Sequence, residues 1–357
     1  MADPQTLRAA HLHAYTREML VAADMPFPIA EEVAEVLVGA NLAGHDSHGF
    51  LRIPMYLDAI ADDRMTPAGG TTVVRDNGNT VVMDGGDGSG IHSCKTAVEF
   101  AIERAKEVGT CAVTFSRINH IGRLGHYAEM AAHAGCVGFV TVGRGDPGNI
   151  ITLPFGSKSP TFGTNPLAFG IPTGDNSPFV LDFATSVVAE GKLRVARSKG
   201  EQLADGIIVD KHGNPSNDPA DFYDDGALLP MAAHKGSALL MLPCLLGALA
   251  DGSGSYQGGV GGCFVLILDI TRFTDLDTYQ QSVRRFLDSI KATEPAAGHD
   301  EVLVPGDFEA RNRAIRLENG VEVPGPIIEE VEEWAAKLGV NLGAIEITEN
   351  DEKKYSN

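Results

Sequence analysis

The sequence predicts an α/β fold of the α+β type, in which a helical start is followed by a mixture of strands and helices. Apolar residues recur at helical spacing at the start, so the protein opens with helices. The pattern then changes at a predicted β-hairpin, Thr71–Met83, whose turn contains Asn77-Gly78, a dipeptide that tight hairpin turns favour. Helices and short strands alternate irregularly after this hairpin, which indicates a mixed fold.

The elements are predicted from their periodicity and flanking residues. Pro28 suits a first helical turn, and Glu31 and Glu32 suit the positive end of the dipole of that helix. The predicted helices are Thr6–Ala23, Pro28–Leu42, Leu51–Ala61, Lys95–Val108, His120–Ala134, Ala184–Ser198, a buried core helix at Ser237–Leu249, Asp275–Ile290 and Glu329–Leu338. Besides the hairpin, the predicted strands are Cys111–Phe115, Val137–Val142, Leu167–Ile171, Phe179–Asp182 and Cys263–Asp269, and the end from Glu349 is expected to be frayed.

Composition limits the possible partners. The chain has 357 residues, 43% of them apolar, which is enough for two or three domains with their own cores. Its 28 Lys and Arg against 48 Asp and Glu give a formal charge of −20, which argues against nucleic acid or an anionic membrane as partner. Five scattered cysteines without a C-x-x-C pair fit reduced thiols, and no signal peptide or membrane span is predicted. We therefore expect a cytoplasmic protein that binds small molecules.

The segment Gly44–Tyr56 concentrates groups that carry chemistry. It contains His48, a side chain suited to proton transfer near neutral pH, and Arg52, whose forked guanidinium fits a carboxylate. Tyr56 adds a phenol in the same segment. The pattern predicts acid/base chemistry on a small molecule that carries a carboxylate.

A glycine-rich loop, residues 143–148, formally matches the G-x-G-x-x-G pattern after the predicted strand Val137–Val142. A Rossmann loop needs its last glycine to open a helix whose N-terminus holds the diphosphate. Here Pro147, Gly148 and Pro154 forbid a helix of useful length. We therefore expect no Rossmann site.

A metal site is a second interpretation of the same segment. His45, His48 and Asp46 are possible ligands, and His120 and His126 might be thought to join them. However, the two histidines of the segment are not at the i, i+4 spacing of H-E-x-x-H motifs. The alternative is that they are ordinary polar residues at the end of a helix, and we expect no metal.

Two cationic features leave alternatives open. Lys235 stands at the predicted N-terminus of a helix, where a cation is misplaced, and such a conflict often marks a site, although a solvated lysine is the alternative. Arg194, Arg197 and Lys199 form a basic cluster that either meets phosphates or is a solvated face. His120 likewise either packs at the start of its helix or shares a cleft with His48.

Taken together, the motifs resemble the malate/L-lactate dehydrogenase family of non-Rossmann NAD(P)-dependent oxidoreductases. The match runs in order over almost the entire chain, and six motifs in the right sequence are specific. They are Asp46-Ser47-His48-Gly49 with Arg52 and Tyr56, Ser116–His120 with Gly122 and Gly125, Pro154-Phe155-Gly156, Phe162–Ala168, Leu181–Ser186, and Leu229-Pro230 with His234-Lys235-Gly236.

The resemblance implies a homodimer with a largely antiparallel, non-Rossmann sheet in the cofactor domain. It implies an N-terminal helical region at 1–70 joined by C-terminal helices at 296–345, and an α/β dimerisation region at 71–137 joined by 256–295. The cofactor domain would be 138–255, followed by a frayed end at 346–357. The substrate would be a 2-hydroxy or 2-oxo acid or, as the alternative, a cyclic imino acid, and hydride would move between nicotinamide C4 and substrate C2.

The resemblance also implies roles for residues. His48 is the expected acid/base, His120 lines the substrate site and is sometimes given that role, and Arg52 clamps the substrate carboxylate. Asp46 or a backbone carbonyl is expected to set the tautomer of His48. The other residues implied at the substrate are Ser47, Tyr56, Arg144, Thr164 and Asn165. Those implied at the dinucleotide are His120, Asp182, Ala184, Thr185, Ser186, His234, Lys235, Gly236, Gly306, Asp307 and Phe308.

Two departures from the family pattern affect specificity. Ala232-Ala233 stand where glycines usually precede the lysine motif, and Ser237-Ala238 stand where an aromatic residue usually follows it. Arg144 lies in a variable loop, where it could contact a second anionic group of the substrate or simply pair with Asp146. No acidic residue can be assigned to a ribose 2′-hydroxyl, so NAD is favoured over NADP only weakly.

Overall fold

The structure is a computed structural model that describes residues 3–145, 150–175, 177–250 and 260–356, except the side chains of 195, 198 and 199. Its first part is helical, as predicted, because apolar residues at helical spacing face one core. The elements of this part are β1 (Gln5–Leu7), α1 (Ala9–Ala22), α2 (Phe27–Leu42), two 3₁₀ turns (Asp46–His48 and Phe50–Arg52) and α3 (Ile53–Ala61).

The remaining elements alternate as the sequence indicates. The central ones are β2 (Thr72–Asp76), β3 (Thr80–Gly88), α4 (Gly90–Val108), β4 (Thr110–Ile118), α5 (Leu124–His133), β5 (Cys136–Gly145), β6 (Leu167–Ile171) and β7 (Phe179–Phe183). Next come α6 (Glu190–Lys199), β8 (Ile208–Val209), β9 (Pro215–Ser216), α7 (Pro219–Tyr223), β10 (Ala227–Leu228), α8 (His234–Gly247) and β11 (Val260–Asp269). The last are α9 (Leu276–Lys291), α10 (Asp307–Asn319), β12 (Val321–Val323), α11 (Gly325–Leu338) and α12 (Glu349–Lys354).

A seven-stranded sheet organises the molecule, in the order β2-β3-β4-β11-β5-β6-β7. Its neighbouring strands are antiparallel except for the parallel pair β3–β4. Helices α4 and α5 pack on the sheet through buried residues such as Cys94, Ala97 and Ala128. The predicted α+β class with a largely antiparallel, non-Rossmann sheet is therefore confirmed.

Strand β11 makes this sheet continuous. Cys263 faces Phe115 of β4 on one side and Val142 of β5 on the other. The sheet therefore crosses the predicted domain boundary at 137/138 without interruption. The division into domains stays a prediction, and its boundary at 255/256 lies outside the described residues.

The two ends of the chain meet in the helical part. Strand β1 pairs with β12, Gln5 opposite Val323, and Ile328 and Val331 of α11 join the core formed by α1, α2 and α3. This arrangement places α10 and α11 against the segment that carries His48. The C-terminal residues thus support the N-terminal site segment.

The C-terminal segment expected to be frayed is instead folded as α12. Thr348 and Asp351 form a reciprocal capping box, and the buried Asp351 carboxylate accepts a 2.5 Å hydrogen bond from Nη1 of Arg17 in α1. Tyr355 also donates or accepts a 2.8 Å bond at Nδ1 of the buried His13. The prediction failed because these partners lie more than 300 positions away in sequence.

Three other expectations need correction. Helix α6 begins at Glu190 rather than Ala184, because residues 184–189 form bends and Ser186 makes a β-bridge to Pro230. Helix α8 is not wholly buried, since Leu245 is 65% exposed. Helix α10, which begins at Asp307, was not predicted at all.

The described part of the glycine-rich loop continues a strand. Gly143 lies in β5 opposite Gly262, and a Cβ on Gly143 would come within 2.2 Å of the Cys244 backbone nitrogen in α8. Close packing of α8 on the sheet therefore explains this glycine. Residues 146–148, including the expected partner Asp146, lie outside the described residues.

Two further observations concern the cysteines and membrane-spanning helices. All five cysteines are free thiols and buried. Among the described residues, every helix is too short or too polar to cross a membrane.

Candidate active site

The segment Gly44–Tyr56 is held in place from two sides. Asn41 of α2 accepts a 2.7 Å bond from the Phe50 backbone nitrogen and donates one of 2.7 Å to Asp46. A Cβ on Gly49 would lie 2.2 Å from the Asn41 side-chain oxygen, so glycine is required there. Arg316 of α10 donates hydrogen bonds to both carboxylate oxygens of Asp46, at 2.6 and 2.9 Å. The Asp46 carboxylate is therefore structural and does not set the tautomer of His48.

The two histidines lie side by side, although they are 72 positions apart in sequence (120 − 48). The rings of His48 and His120 stack with centroids 5.6 Å apart and an interplanar angle of 29°. Ser47 places its hydroxyl 2.9 Å from Nδ1 of His48, and Tyr56 places its hydroxyl 2.8 Å from Nδ1 of His120. The structure thus brings together Ser47, His48, Tyr56 and His120, which agrees with the alternative in which His120 lies beside His48.

The hydrogen bonds of His120 fix its tautomer. The Gly122 backbone N–H donates to Nδ1 at 3.3 Å, so this nitrogen is an acceptor and Tyr56 donates to it as well. The neutral ring therefore carries its proton on Nε2. His48 is not constrained in this way, because a serine hydroxyl can donate or accept. Among the described residues, none forms a hydrogen bond with Nε2 of either histidine.

Both histidines are neutral at pH 7 in the free protein. Burial lowers the pKa of His48 to about 3, helped by the nearby charges of Arg52, His45 and Arg123. Burial likewise puts the pKa of His120 well below its usual value, with Arg52 and His48 adding to the effect. Burial also raises the pKa of the Tyr56 phenol, so Tyr56 stays a donor.

Arg52 lies next to this pair as a fixed cation. Its Nε donates a 2.6 Å bond to the Ser47 carbonyl, and its Nη1 lies 3.6 Å from Sδ of Met55. Burial lowers the pKa of Arg52, but a guanidinium remains charged at neutral pH. Since these contacts occupy one side of the fork, its other N–H groups are available for a carboxylate.

A buried ionic group supports the cleft behind the histidines. Asp182 accepts a 2.7 Å bond from the Gly125 backbone nitrogen at the start of α5, and burial raises its pKa although Arg123 opposes this. Arg123 is buried and pairs with Glu129, while its Nε and Nη1 have no hydrogen-bond partner among the residues that the structure describes. The sequence does not mark Arg123 and Glu129 as site residues, because the charge of Asp182 acts on Arg123 only once β7 lies against α5.

Thr164, Asn165 and Thr185 form a junction between loops. Asn165 donates to the Leu240 carbonyl at 2.7 Å and accepts a 3.0 Å bond from the Arg144 backbone nitrogen, so its amide is bound within the protein. Thr185 donates to the Asn165 and Thr164 carbonyls, and Ser186 donates to the Val188 carbonyl at 2.8 Å. These contacts shape the segment that carries Asp182, Ala184, Thr185 and Ser186.

The start of α8 is backbone-strained. Ala232 and Ala233 have φ of 48° and 54°, the left-handed region that favours glycine, and they precede His234 and Lys235, both exposed. Gly236 is required, because a Cβ there would lie 1.7 Å from the Met231 carbonyl oxygen. The alanines that depart from the family pattern therefore occupy the two positions where glycine would be relaxed.

Residues Gly306, Asp307 and Phe308 open α10 next to the site segment. Asp307 caps the turn by accepting from the Val304 backbone nitrogen at 3.0 Å and pairs with Lys291 at 2.9 Å. The Phe308 ring packs edge-on against His45, and His45 Nε2 lies 2.9 Å from Glu309. His45 is therefore engaged with α10, three positions before His48.

Two of the possible metal ligands have other partners, since His45 lies 2.9 Å from Glu309 and Asp46 pairs with Arg316. Among the described residues, no group of three His, Cys, Asp or Glu side chains is placed to hold a metal ion. The arrangement present instead is two neutral histidines, a hydroxyl on each Nδ1 and a guanidinium.

Comparisons with known proteins identify the family of the chain. The family model for malate/L-lactate dehydrogenase matches residues 7–332. An L-lactate dehydrogenase of Cupriavidus necator is 37% identical over 336 residues, 91% of this chain and 95% of that protein.

Two solved structures show the same fold. Sulfolactate dehydrogenase from Methanocaldococcus jannaschii superposes with a TM-score of 0.86 at 30% identity, over 96% of this chain and 99% of that one. Delta1-piperideine-2-carboxylate reductase from Pseudomonas syringae pathovar tomato superposes with a TM-score of 0.80 at 27% identity, over 93% of this chain and 100% of that one. From these matches and the site geometry, the chain belongs to the malate/L-lactate dehydrogenase family.

Proposed function

We propose that the protein is a dehydrogenase that oxidises a small 2-hydroxy acid, and reduces the matching 2-oxo acid, with a nicotinamide cofactor. The observation that carries this proposal is the stacked pair His48–His120 beside the cation of Arg52. To interconvert a 2-hydroxy acid and a 2-oxo acid, the protein must transfer a proton at the substrate oxygen and anchor the substrate carboxylate. The class of reaction also follows from family membership.

The residues at the start of α8 fit the diphosphate of a dinucleotide. Lys235 is exposed and has no ion pair with another described residue, and it stands at the positive end of a helix of 14 residues. Two positive features at one place are unfavourable unless an anion lies between them. We place the dinucleotide along Lys235, His234 and Gly236, the segment from Asp182 to Ser186, and Gly306 to Phe308. When bound, the nicotinamide supplies the hydride acceptor or donor.

His48 is the proton carrier in this proposal. Its Nε2 is free among the described residues, and the Ser47 hydroxyl can accept from Nδ1 when the ring becomes charged. His120 cannot be charged without breaking the bond from the Gly122 N–H. His120 therefore acts as a fixed donor through Nε2–H to the substrate oxygen, and His48 takes or gives the proton.

Arg52 orients the substrate and tunes His48. Its free N–H groups bind the carboxylate in two parallel bonds, which presents one face of C2. A bound carboxylate also neutralises a charge that lowers the pKa of His48. Substrate binding therefore makes His48 easier to protonate, which the reduction direction needs.

We favour NAD weakly, a homodimer and a cytoplasmic location. Support for a homodimer comes from α9, which lies in the predicted dimerisation region and leaves Phe286 64% exposed. We keep Ser47, Tyr56, Arg144, Thr164 and Asn165 as the substrate pocket, with Asn165 as a positioning residue because its amide is already bound.

An assay with purified protein tests the proposal directly. We expect a change at the absorbance band of the reduced cofactor with 2-oxo acids, and a loss of about 10²–10⁴-fold in kcat for His48→Ala. Added imidazole should restore part of the activity of that variant. His120→Ala should lose activity too, but it should keep the pH profile of the wild type and not respond to imidazole. Absence of cofactor binding and of turnover with every 2-oxo acid would overturn the proposal.

A cyclic imino acid is the alternative substrate class. The fold shared with the piperideine-2-carboxylate reductase favours testing it. Turnover of a cyclic imine without turnover of any 2-oxo acid would select this alternative.

A further inference from the structure

Helix α6 carries a charged group at the rim of the site that the proposed mechanism does not use. Arg194 and Arg197 belong to the basic cluster noted in the sequence, and the side chain of Lys199 lies outside the described residues. Glu190 begins the helix, one turn before Arg194. The question is what this charged turn contacts.

The first turn of α6 lies directly on the segment that holds Arg52. Gly191 approaches Ser47 so closely that a Cβ would come within 2.6 Å of the Ser47 Cβ. Ser47 in turn holds Arg52 through its carbonyl. The charges of Glu190 and Arg194 act on Arg52, which agrees with this packing.

Among the described residues, Arg194 forms fewer hydrogen bonds and ion pairs than Glu190 does. Glu190 accepts a 2.9 Å bond from the Tyr223 hydroxyl and lies 3.5 Å from Nη2 of Arg194. The side chain of Arg194 is 57% exposed, so the rest of its guanidinium faces solvent. Glu190 and Tyr223 thus hold Arg194 at the rim while its outer N–H groups stay available.

We propose that Arg194 binds a second anionic group on the substrate, so that the preferred substrate is a 2-hydroxy or 2-oxo acid with a distal carboxylate or sulfonate. This inference rests on the proposed function, because Arg52 must hold the first carboxylate. A protein of net charge −20 repels dianions in general, so a local cation beside Arg52 is needed to accept one. Arginine suits this task because its fork matches either a carboxylate or a sulfonate.

The test compares Arg194→Gln with a matched control on the same helix. Arg197→Gln removes the same charge, but Arg197 stacks over the Tyr223 ring, 4.5 Å from its centroid. Initial rates would be measured with oxaloacetate and sulfopyruvate as dianionic 2-oxo acids and with pyruvate as the monoanionic one. The ratio of kcat/KM between dianion and monoanion is the readout.

We expect Arg194→Gln to lower kcat/KM for the dianions by about 10-fold to 100-fold, the range typical of a lost charged hydrogen bond. The value for pyruvate should change less than about 3-fold, and Arg194→Lys should recover part of the dianion preference. A loss with oxaloacetate alone, or with sulfopyruvate alone, would support the site and identify the distal group.

Two other outcomes contradict the inference in distinguishable ways. Equal changes for dianions and pyruvate in Arg194→Gln, or the same selective loss in Arg197→Gln, would overturn the role of Arg194 while leaving the dehydrogenase intact. No turnover of any 2-oxo acid by the wild type would overturn the proposed function and this inference with it.

Discussion

The hydroxyl of Tyr56 lies 2.8 Å from Nδ1 of His120 and is the donor in that bond, because the Gly122 N–H already uses the same nitrogen as acceptor. The Tyr56 side chain is only 1% exposed, so water cannot replace it. The buried phenol therefore strengthens the tautomer that the Gly122 N–H selects, in which Nε2 of His120 carries the proton.

Tyr56→Phe should lower kcat by about 10-fold, equivalent to about 1.4 kcal/mol, since one of the two hydrogen bonds that hold Nδ1 of His120 as an acceptor is lost and only the 3.3 Å bond from the Gly122 N–H remains. The ¹⁵N chemical shifts of His120 should show a mixture of tautomers. Tyr127→Phe is the control, because Tyr127 is also fully buried but donates to the Ile121 carbonyl rather than to an imidazole. A Tyr56→Phe enzyme with an unchanged tautomer would contradict the assignment.

The pH dependence of oxidation should reflect the low pKa of His48. A base with a pKa of about 3 is already deprotonated at neutral pH, so lowering the pH from 8 to 5 should leave kcat/KM for the hydroxy acid nearly flat. The reduction direction needs a proton on His48 and should slow as pH rises. An acid limb near pH 6.5 in the oxidation profile would show that burial does not lower this pKa.

Replacing Ala233 with glycine should stabilise the protein by about 1 kcal/mol, because the strain of a left-handed alanine exceeds the entropy that glycine adds to the unfolded chain. Thermal unfolding should move up by about 2 °C. Ala238→Gly is the matched control in the same helix, and it should destabilise by about 1 kcal/mol. Equal destabilisation by both changes would mean that the backbone before α8 is not strained.

The C-terminal helix should loosen in acid. The carboxylate of Asp351 is 1% exposed and pairs with Arg17, whose side chain is 7% exposed, so Asp351→Asn should cost about 3 kcal/mol at pH 7. Burial opposes ionisation of Asp351 and Glu31, but their bonds to basic groups prevail and lower the pKa of both, that of Glu31 to about 2. Their contribution to stability is therefore present above pH 4.5 and is lost as pH falls towards 2.

His13 acts in the same direction, since burial lowers its pKa and its protonation below pH 6.5 costs stability. Thermal melts from pH 7 to pH 3 should fall less steeply for Asp351→Asn than for the wild type. Glu349→Gln is the control, because Glu349 forms an exposed pair with Lys353 on the same helix and should change stability by less than about 0.5 kcal/mol. Parallel pH curves for the wild type and Asp351→Asn would contradict this account.

The sequence predicts what is local and misses what depends on distant contacts. His48, Arg52 and Tyr56 could be predicted as site residues because all three lie within the thirteen residues of Gly44–Tyr56. The Asp46–Arg316 pair could not be found, since 270 positions separate its members and α10 was not predicted. Likewise, we expected Asp46 or a backbone carbonyl to contact Nδ1 of His48, but the hydroxyl of the adjacent Ser47 lies there, at 2.9 Å.

Strand β11 has a consequence for how the chain becomes a protein. Its partners β4 and β5 are synthesised early. The strand position between them in the sheet is filled by residues 260–269, which follow Phe115 by about 150 positions in sequence. Until these residues leave the ribosome, two strand edges and the underside of α4 stay open to other chains. We therefore expect the sheet to close late and slowly, as high contact order implies, and to depend most on chaperones just before β11 emerges.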